Sequence, residues 1–280
     1  AALLAINKGF DVFVSDFGTI KDCFQQELND MSVEWEQRMH TEERILAANT
    51  IVKSPGIPET VLVRRARDKG IEILSEIEFA SRFCKGKIIA ITGSNGKTTT
   101  ATLVHHLLNG AKVDVALAGN IGDSFARCLA IADHDYWVLE LSSFQLDDIH
   151  EFKPYIAILL NLSPDHLDRY EGEMANYVAA KMRIAKNQDA SDYFIYWNED
   201  GWIKKNLQLV NAVKLPFGEQ AFTKGASLIN DKIEININGE QLTMTIHELA
   251  LQGKHNTYNS MAGGIAAKLM GITNDIVREC

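Results

Sequence analysis

The chain has 280 residues, long enough for two domains or one large one. Hydrophobic content of 46% and charged content of 23% are those of a folded globular protein, and a formal charge of −9 argues against broad attraction to nucleic acid. The longest apolar stretches, such as residues 156–160, have strand length and fall far short of a membrane span. Cys23, Cys84, Cys128 and Cys280 lie far apart with no C-x-x-C spacing, so neither a disulfide framework nor a zinc cluster is supported and a reducing cytoplasm is the simpler setting.

In chain order, residues 1–8 read as a helix that opens without a methionine, so the true start is expected upstream. Strand-length apolar runs follow at 10–15, 50–53, 71–74, 87–92, 112–118, 136–141 and 155–161. Helical patterns at 42–47, 60–69, 76–83 and 98–109 lie between several of them. This alternation predicts an α/β fold of right-handed βαβ units with mostly parallel sheets. Two such units are expected, 1–83 and 84–280, joined at Cys84-Lys85-Gly86-Lys87. From 227 to 247 the period becomes two around Asn238-Gly239, which predicts an added β-hairpin with a tight I′ turn. A final helix rich in Ala and Gly spans 256–270.

Chemistry concentrates first at Thr92-Gly93-Ser94-Asn95-Gly96-Lys97-Thr98-Thr99-Thr100. A β-branched strand stops, a small-residue turn follows, and a lysine and threonines open a helix: the layout of a phosphate-binding loop. Lys97 would reach the β/γ-phosphates and the Thr98 hydroxyl would serve Mg²⁺. The general pattern asks for glycine where Ile91 stands. An ordinary strand–turn–helix corner with one lysine is the competing reading; the strand before, the helix after and Thr98 favour a nucleotide triphosphate.

Three further constellations stand beside it. Glu140 ends an apolar strand, where open α/β sheets collect ligands, and could hold Mg²⁺ opposite Thr98; a strand-ending glutamate is otherwise solvated or capping. His166, in Asn161-Leu162-Ser163-Pro164-Asp165-His166-Leu167-Asp168-Arg169-Tyr170, could ligate a metal or touch a transferred phosphoryl group. A solvated loop histidine explains the same residues equally well. Lys181, within a helical stretch, has nothing in its local pattern to single it out.

Taken together, these segments resemble the Mur ligases, the amide-forming enzymes of peptidoglycan precursor synthesis, whose shortened ATP loop also explains Ile91. Leu139-Glu140-Leu141-Ser142-Ser143-Phe144-Gln145-Leu146 is similar to the segment of the D-glutamate-adding branch. Residues 161–170, 177–184, Gly253-Lys254-His255-Asn256-Thr257-Tyr258-Asn259 and Ser54-Pro55-Gly56-Ile57 follow the same family pattern, so the resemblance runs across essentially the whole chain.

The resemblance implies a UDP-substrate domain, a central ATPase domain and a third, Rossmann-like domain. It implies ATP-dependent addition of D-glutamate to UDP-N-acetylmuramoyl-L-alanine through an acyl phosphate, in a cytoplasmic monomer without nucleic-acid or membrane partners. Gly93, Ser94, Asn95, Gly96, Lys97, Thr98 and Thr99 would cradle ATP, with Asn256 and Asn259 near the adenine. Thr98 and Glu140 would hold one Mg²⁺, and His166 a second. Lys181 corresponds to the family's carbamylated lysine, an oxygen donor suited to a hard cation where an ammonium is not. Asp16, Ser54, Gly56, Asn120 and Ser142 would face the UDP-muramoyl substrate. Lys97, His166 and Lys181 would be the catalytic groups.

Departures accompany the match. Phe17 follows Asp16 where some members carry a small polar residue, the first glycine-rich βα turn is expected before Ala1, and the D-glutamate-binding third domain is expected after Cys280. These residues alone are therefore expected not to form the amide. Two other readings compete: another ligase of this type, including a folylpolyglutamate synthetase, and a non-catalytic ATP-binding module. Glu140, His166 and Lys181 together weigh against the module.

Overall fold

The computed structural model describes residues 1–279; Cys280 lies outside the described residues. Thirteen strands run in chain order among these residues: β1 (Phe13–Asp16), β2 (Glu34–Gln37), β3 (Thr50–Lys53), β4 (Glu72–Ser75), β5 (Lys87–Thr92), β6 (Val115–Gly119), β7 (Tyr136–Glu140), β8 (Ile156–Leu159), β9 (Tyr193–Trp197), β10 (Val213–Gly218), β11 (Gly225–Ile229), β12 (Lys232–Ile237) and β13 (Glu240–Thr245). The α/β class read from sequence is the fold observed.

Nine strands form one sheet in the order β6-β7-β5-β8-β9-β10-β11-β12-β13. It is parallel from β6 through β11, and β12 and β13 close its far edge antiparallel. The added hairpin thus extends the main sheet. Its turn is the I′ type expected, with Asn238 at φ 54° and Gly239 at φ 81°.

β5 is central and buried on both faces, as a parallel strand covered by helices must be. Ile88 and Ala90 pack on one side with Trp137, Leu139, Leu159 and Phe194. Ile89 and Ile91 pack on the other with Val138, Ile158, Ile195 and Leu215. The two-residue period of the strand sorts these side chains. The helices Glu76–Ser81, Phe125–Ile131, Ser143–Asp147 and Met174–Met182 cover the first face, and Lys97–Gly110 and Lys254–Leu269 the second.

From β5 the chain passes to β6 on one side, returns to β7, then crosses to β8 on the other side of β5. The carboxyl ends of β5 and β8 therefore flank a topological switch point, where ligands of open α/β sheets bind.

In the N-terminal region the strands pair as two separate parallel ladders, β1–β2 and β3–β4, where the sequence reading expects one sheet. The first covers a small core of Ile20, Leu28 and Val33. Strand starts also shift. Phe10 packs edge-on against Phe79 and Phe83, leaving β1 to begin at Phe13. Lys112, at φ 59°, belongs to the turn that ends the preceding helix, so β6 begins at Val115.

The β3–β4 ladder is tied to the end of the helix Ser143–Asp147 by a charge cluster in which Lys53 and Asp148 are buried and Arg67 is exposed. Lys53 Nζ lies 3.0 Å from Asp148 Oδ2, and Arg67 Nη2 lies 2.6 Å from Asp148 Oδ1. Burial pushes the Asp148 carboxyl up, but Lys53 and Arg67 outweigh it and hold the carboxyl below its ordinary value. Asp148→Ala would strand the Lys53 ammonium, so a loss of about 3 kcal/mol is expected in urea unfolding near neutral pH. The stabilisation from Asp148 is present above the ordinary carboxylate pKa and is lost as pH falls through the depressed folded value. The difference between wild type and variant should shrink accordingly in acid.

Candidate active site

The phosphate-type loop leaves β5 at Thr92 and enters the helix Lys97–Gly110 at Gly96. Gly93 at φ 153° and Gly96 at φ 84° give the backbone a path that side chains resist. A Cβ on Gly96 would lie 2.5 Å from Asn259 Oδ1, so the loop and the Lys254–Leu269 helix meet at van der Waals limits. Gly96→Ala is expected to cost about 1–2 kcal/mol of stability and to weaken nucleotide binding, read by thermal unfolding and calorimetric titration with Mg·ADP.

A clamp from the β8 exit fixes this loop. Asn161 Oδ1 accepts from Asn95 N at 2.9 Å, and Asn161 Nδ2 donates to Asn95 O at 3.0 Å. Ser94 Oγ donates to Ser163 O and accepts from Ser163 N, both at 2.9 Å, and meets Tyr177 OH at 3.0 Å. The cradle is thereby preorganised for an anion at the start of a 14-residue helix. Lys97 folds back into it, Nζ donating to Gly93 O at 3.0 Å and Ser94 O at 2.8 Å. Burial lowers its pKa, against the pull of Glu140 and Asp165. Thr99 follows, half-buried on the first helical turn.

Glu140 is buried at the end of β7. Its Oε2 accepts from Thr98 Oγ1 at 2.7 Å and its Oε1 from Asn120 Nδ2 at 3.0 Å. No lysine, arginine or histidine pairs with it within 4.0 Å among the described residues. A buried carboxylate served only by neutral donors leaves a charge to be balanced. Carboxylate and hydroxyl oxygens at this spacing fit a hard cation such as Mg²⁺.

Lys181 lies in the helix Met174–Met182 and is buried, Nζ donating to Gly93 O at 2.9 Å and reaching Thr92 Oγ1 at 3.4 Å. Burial first, and the neighbouring Lys97 second, push its pKa down to about 7, with Asp165 opposing. His166 is exposed in a left-handed conformation at φ 48°. Its ring packs 5.5 Å from Phe144 and 3.6 Å from the Asp165 carboxylate. No cluster of three His, Cys, Asp or Glu suited to a metal occurs among the described residues, so His166 and Glu140 are not joined in one ready-made cage.

Asn256 and Asn259 are linked, Asn259 Nδ2 to Asn256 Oδ1 at 3.3 Å, and Asn259 abuts Gly96 as described. Ser142 caps the helix Ser143–Asp147 in a capping box with Gln145. Asn120 is engaged by Glu140 through side chain and backbone. Gly56 O accepts from Arg169 Nη1 at 3.1 Å, and Ser54 begins that same turn. Asp16 ends β1 in a different ladder, its carboxylate accepting from Gly18 N at 2.6 Å, beside the exposed Phe17 ring packed on His40.

The structure thus gathers Gly93–Thr98, Glu140, Asn120, Lys181 and Asn259 around one sheet edge. Asn161, Asp165 and Tyr177 join them without having been singled out. Tyr177 stands four residues before Lys181, a spacing that puts both on one helix face.

Comparison with known proteins bears on this arrangement. The model of the Mur ligase middle domain matches residues 91–267. The chain is 48% identical over 99% of its length to a protein of Christiangramia forsetii named UDP-N-acetylmuramoylalanine–D-glutamate ligase. It is also 48% identical over its whole length to a protein of that name in Bacteroides fragilis. The chain spans 63% and 64% of these two relatives' own lengths. Among solved structures, the fold resembles the UDP-N-acetylmuramate:L-alanyl-γ-D-glutamyl-meso-diaminopimelate ligase of Neisseria meningitides, with TM-score 0.66 and 16% identity over 99% of this chain and 91% of that one. It also resembles the UDP-N-acetylmuramate–alanine ligase of Thermotoga maritima, with TM-score 0.58 and 21% identity over 99% of this chain and 64% of that one. With the family model matching more than half of its residues, the chain belongs to the Mur ligase family.

Proposed function

We propose that this chain carries the UDP-substrate and ATP-binding parts of an ATP-dependent ligase that adds D-glutamate to UDP-N-acetylmuramoyl-L-alanine in the cytoplasm. The observation that carries the reading is 48% identity, across 99% of the chain, to a relative bearing the name of that ligase. The carboxylate, hydroxyl and two lysines gathered at the loop supply the chemistry such an enzyme needs. Residues 1–83 would hold the UDP-substrate and 84–280 the ATP.

In this reading the L-alanyl carboxylate takes the γ-phosphoryl group, ADP leaves, the D-glutamate amine attacks the acyl carbon, and phosphate departs as the amine gives up its proton. The chain's part is positioning and charge. The clamp of Asn161 on Asn95 and Ser163 on Ser94 holds the cradle, and Lys97 meets the phosphate charge. Thr98 and Glu140 would hold Mg²⁺, which supplies neutralisation of phosphoryl oxygens when bound. Lys181, once carbamylated, would present anionic oxygen to a second cation beside His166. Asn256 and Asn259 would face the adenine, and Asp16, Ser54, Gly56, Asn120 and Ser142 the UDP-muramoyl substrate.

The test is ADP release by the full-length enzyme with UDP-N-acetylmuramoyl-L-alanine and a panel of amino acids. Turnover restricted to D-glutamate is expected. Turnover with another amino acid would assign a different ligase, and tight Mg·ATP binding without turnover on any of them would point to a nucleotide-binding module.

A further inference from the structure

We propose that Arg169 is a positioning residue that couples the N-terminal loop 53–57 to the loop bearing His166. Three observations converge on it. Its Nη1 donates to Gly56 O at 3.1 Å, across 113 residues of sequence. Its guanidinium lies 4.5 Å from the centre of the Phe144 ring. That ring packs against His166 at 5.5 Å and stacks on Tyr170 at 6.1 Å. Arg169 N also donates to His166 O at 3.1 Å, closing the short turn in which His166 adopts its left-handed conformation.

The far end of this link is itself fixed. Lys53 Nζ donates to Ile57 O at 2.8 Å while paired with buried Asp148, so the turn carrying Gly56 is anchored to the residue that follows the Phe144 helix. A planar cation that stacks on a ring and donates at its edge is suited to this bridge, and lysine is not. Displacing the 53–57 turn would draw on Arg169, and through Phe144 on the His166 ring. The inference rests on the ligase reading above: loop 53–57 faces the UDP-substrate, and the bridge makes seating of that substrate the event that orders the His166 loop.

The experiment uses the full-length enzyme with Arg169→Met, Arg169→Lys, Phe144→Leu and the Arg169→Met/Phe144→Leu pair. Arg169→Met should lower kcat by about 30-fold with the KM for ATP within about twofold. Arg169→Lys keeps a donor for Gly56 but not the flat stack, and should recover only part of the loss. The double variant should be no slower than the worse single one, because both changes break one bridge. Hydrogen exchange supplies a readout apart from turnover: UDP-N-acetylmuramoyl-L-alanine should protect residues 165–170 in wild type and not in Arg169→Met. Unchanged kcat in Arg169→Met, fully multiplicative losses in the pair, or equal protection in both proteins would overturn the coupling. Wild-type enzyme that neither ligates D-glutamate nor binds UDP-N-acetylmuramoyl-L-alanine would instead overturn the ligase reading; where that substrate binds, the exchange comparison judges the bridge independently of turnover.

Discussion

Lys97→Ala is expected to lower ATP-dependent turnover by about a thousandfold while leaving the fold intact. Lys97 is the half-buried cation at the start of the helix, its Nζ held by Gly93 O and Ser94 O. Those carbonyls are neutral acceptors; a phosphate oxygen would offer a full negative charge in their place, and that interaction would strengthen as charge moves in the transition state. Partial burial makes the ammonium costly to hold there, which is why its pKa lies below the ordinary lysine value. Removing it relieves that cost, so stability should stay level or rise while Mg·ATP affinity and kcat fall. Arg is a poor replacement, because a planar fork cannot turn back onto two carbonyls of a four-residue loop as a flexible ammonium does. Thermal unfolding, calorimetric titration with Mg·ADP and single-turnover ADP release separate the three effects. A Lys97→Ala enzyme with kcat within tenfold of wild type would remove Lys97 from the chemistry.

Much of the fold is legible because strand and helix periods differ and this chain keeps them distinct. β3 and β5 occupy the residues read from sequence, since β-branched runs bounded by polar residues leave little choice of register. The Asn238-Gly239 hairpin is legible for a steric reason, both residues tolerating positive φ. β9 is an aromatic-rich run, Tyr-Phe-Ile-Tyr-Trp, buried on both faces, and lacks the polar alternation that marks a half-exposed strand. β2 has the opposite difficulty: Glu-Trp-Glu-Gln carries too little apolar content to announce itself.

The site divides along the same line. The loop from Gly93 to Thr98 is local in sequence and so readable, and Glu140 follows from strand-end logic. Lys181 is 84 residues from Lys97 in sequence and becomes meaningful only once the helix Met174–Met182 lies against β5, where its ammonium meets Gly93 O. Asn161 and Tyr177 are missed for that reason too: their work is to hold another loop, and a clamp is invisible until both halves are in place.

Lys181 is also where the second large effect is expected. Lys181→Ala should reduce turnover by at least about a hundredfold, and Lys181→Arg should not restore it. An arginine preserves positive charge, whereas the proposed carbamate is an anion. The site favours conversion: burial and the Lys97 charge both disfavour an ammonium, and with the pKa pushed down to about 7 much of the amine is neutral near pH 7. In the proposed modification the neutral nitrogen would attack the carbon of CO2, an N–C bond forming as one C–O π pair moves onto oxygen and the nitrogen gives up a proton. Lys97 would stabilise the resulting carbamate charge.

The pH dependence follows in sign. Below pH 7 the ammonium is retained and carbamylation is suppressed, so activity should rise as pH increases through about 7. For the unmodified protein, the folded chain gives up this proton near pH 7 while the unfolded chain keeps it to the ordinary lysine value, so stability should also increase over that interval. Carbon-13 bicarbonate offers a direct readout: wild type should show a carbamate carbon resonance that Lys181→Arg lacks. Absence of that resonance in active wild-type enzyme would leave Lys181 as a buried amine held by Gly93 and refute the carbamate.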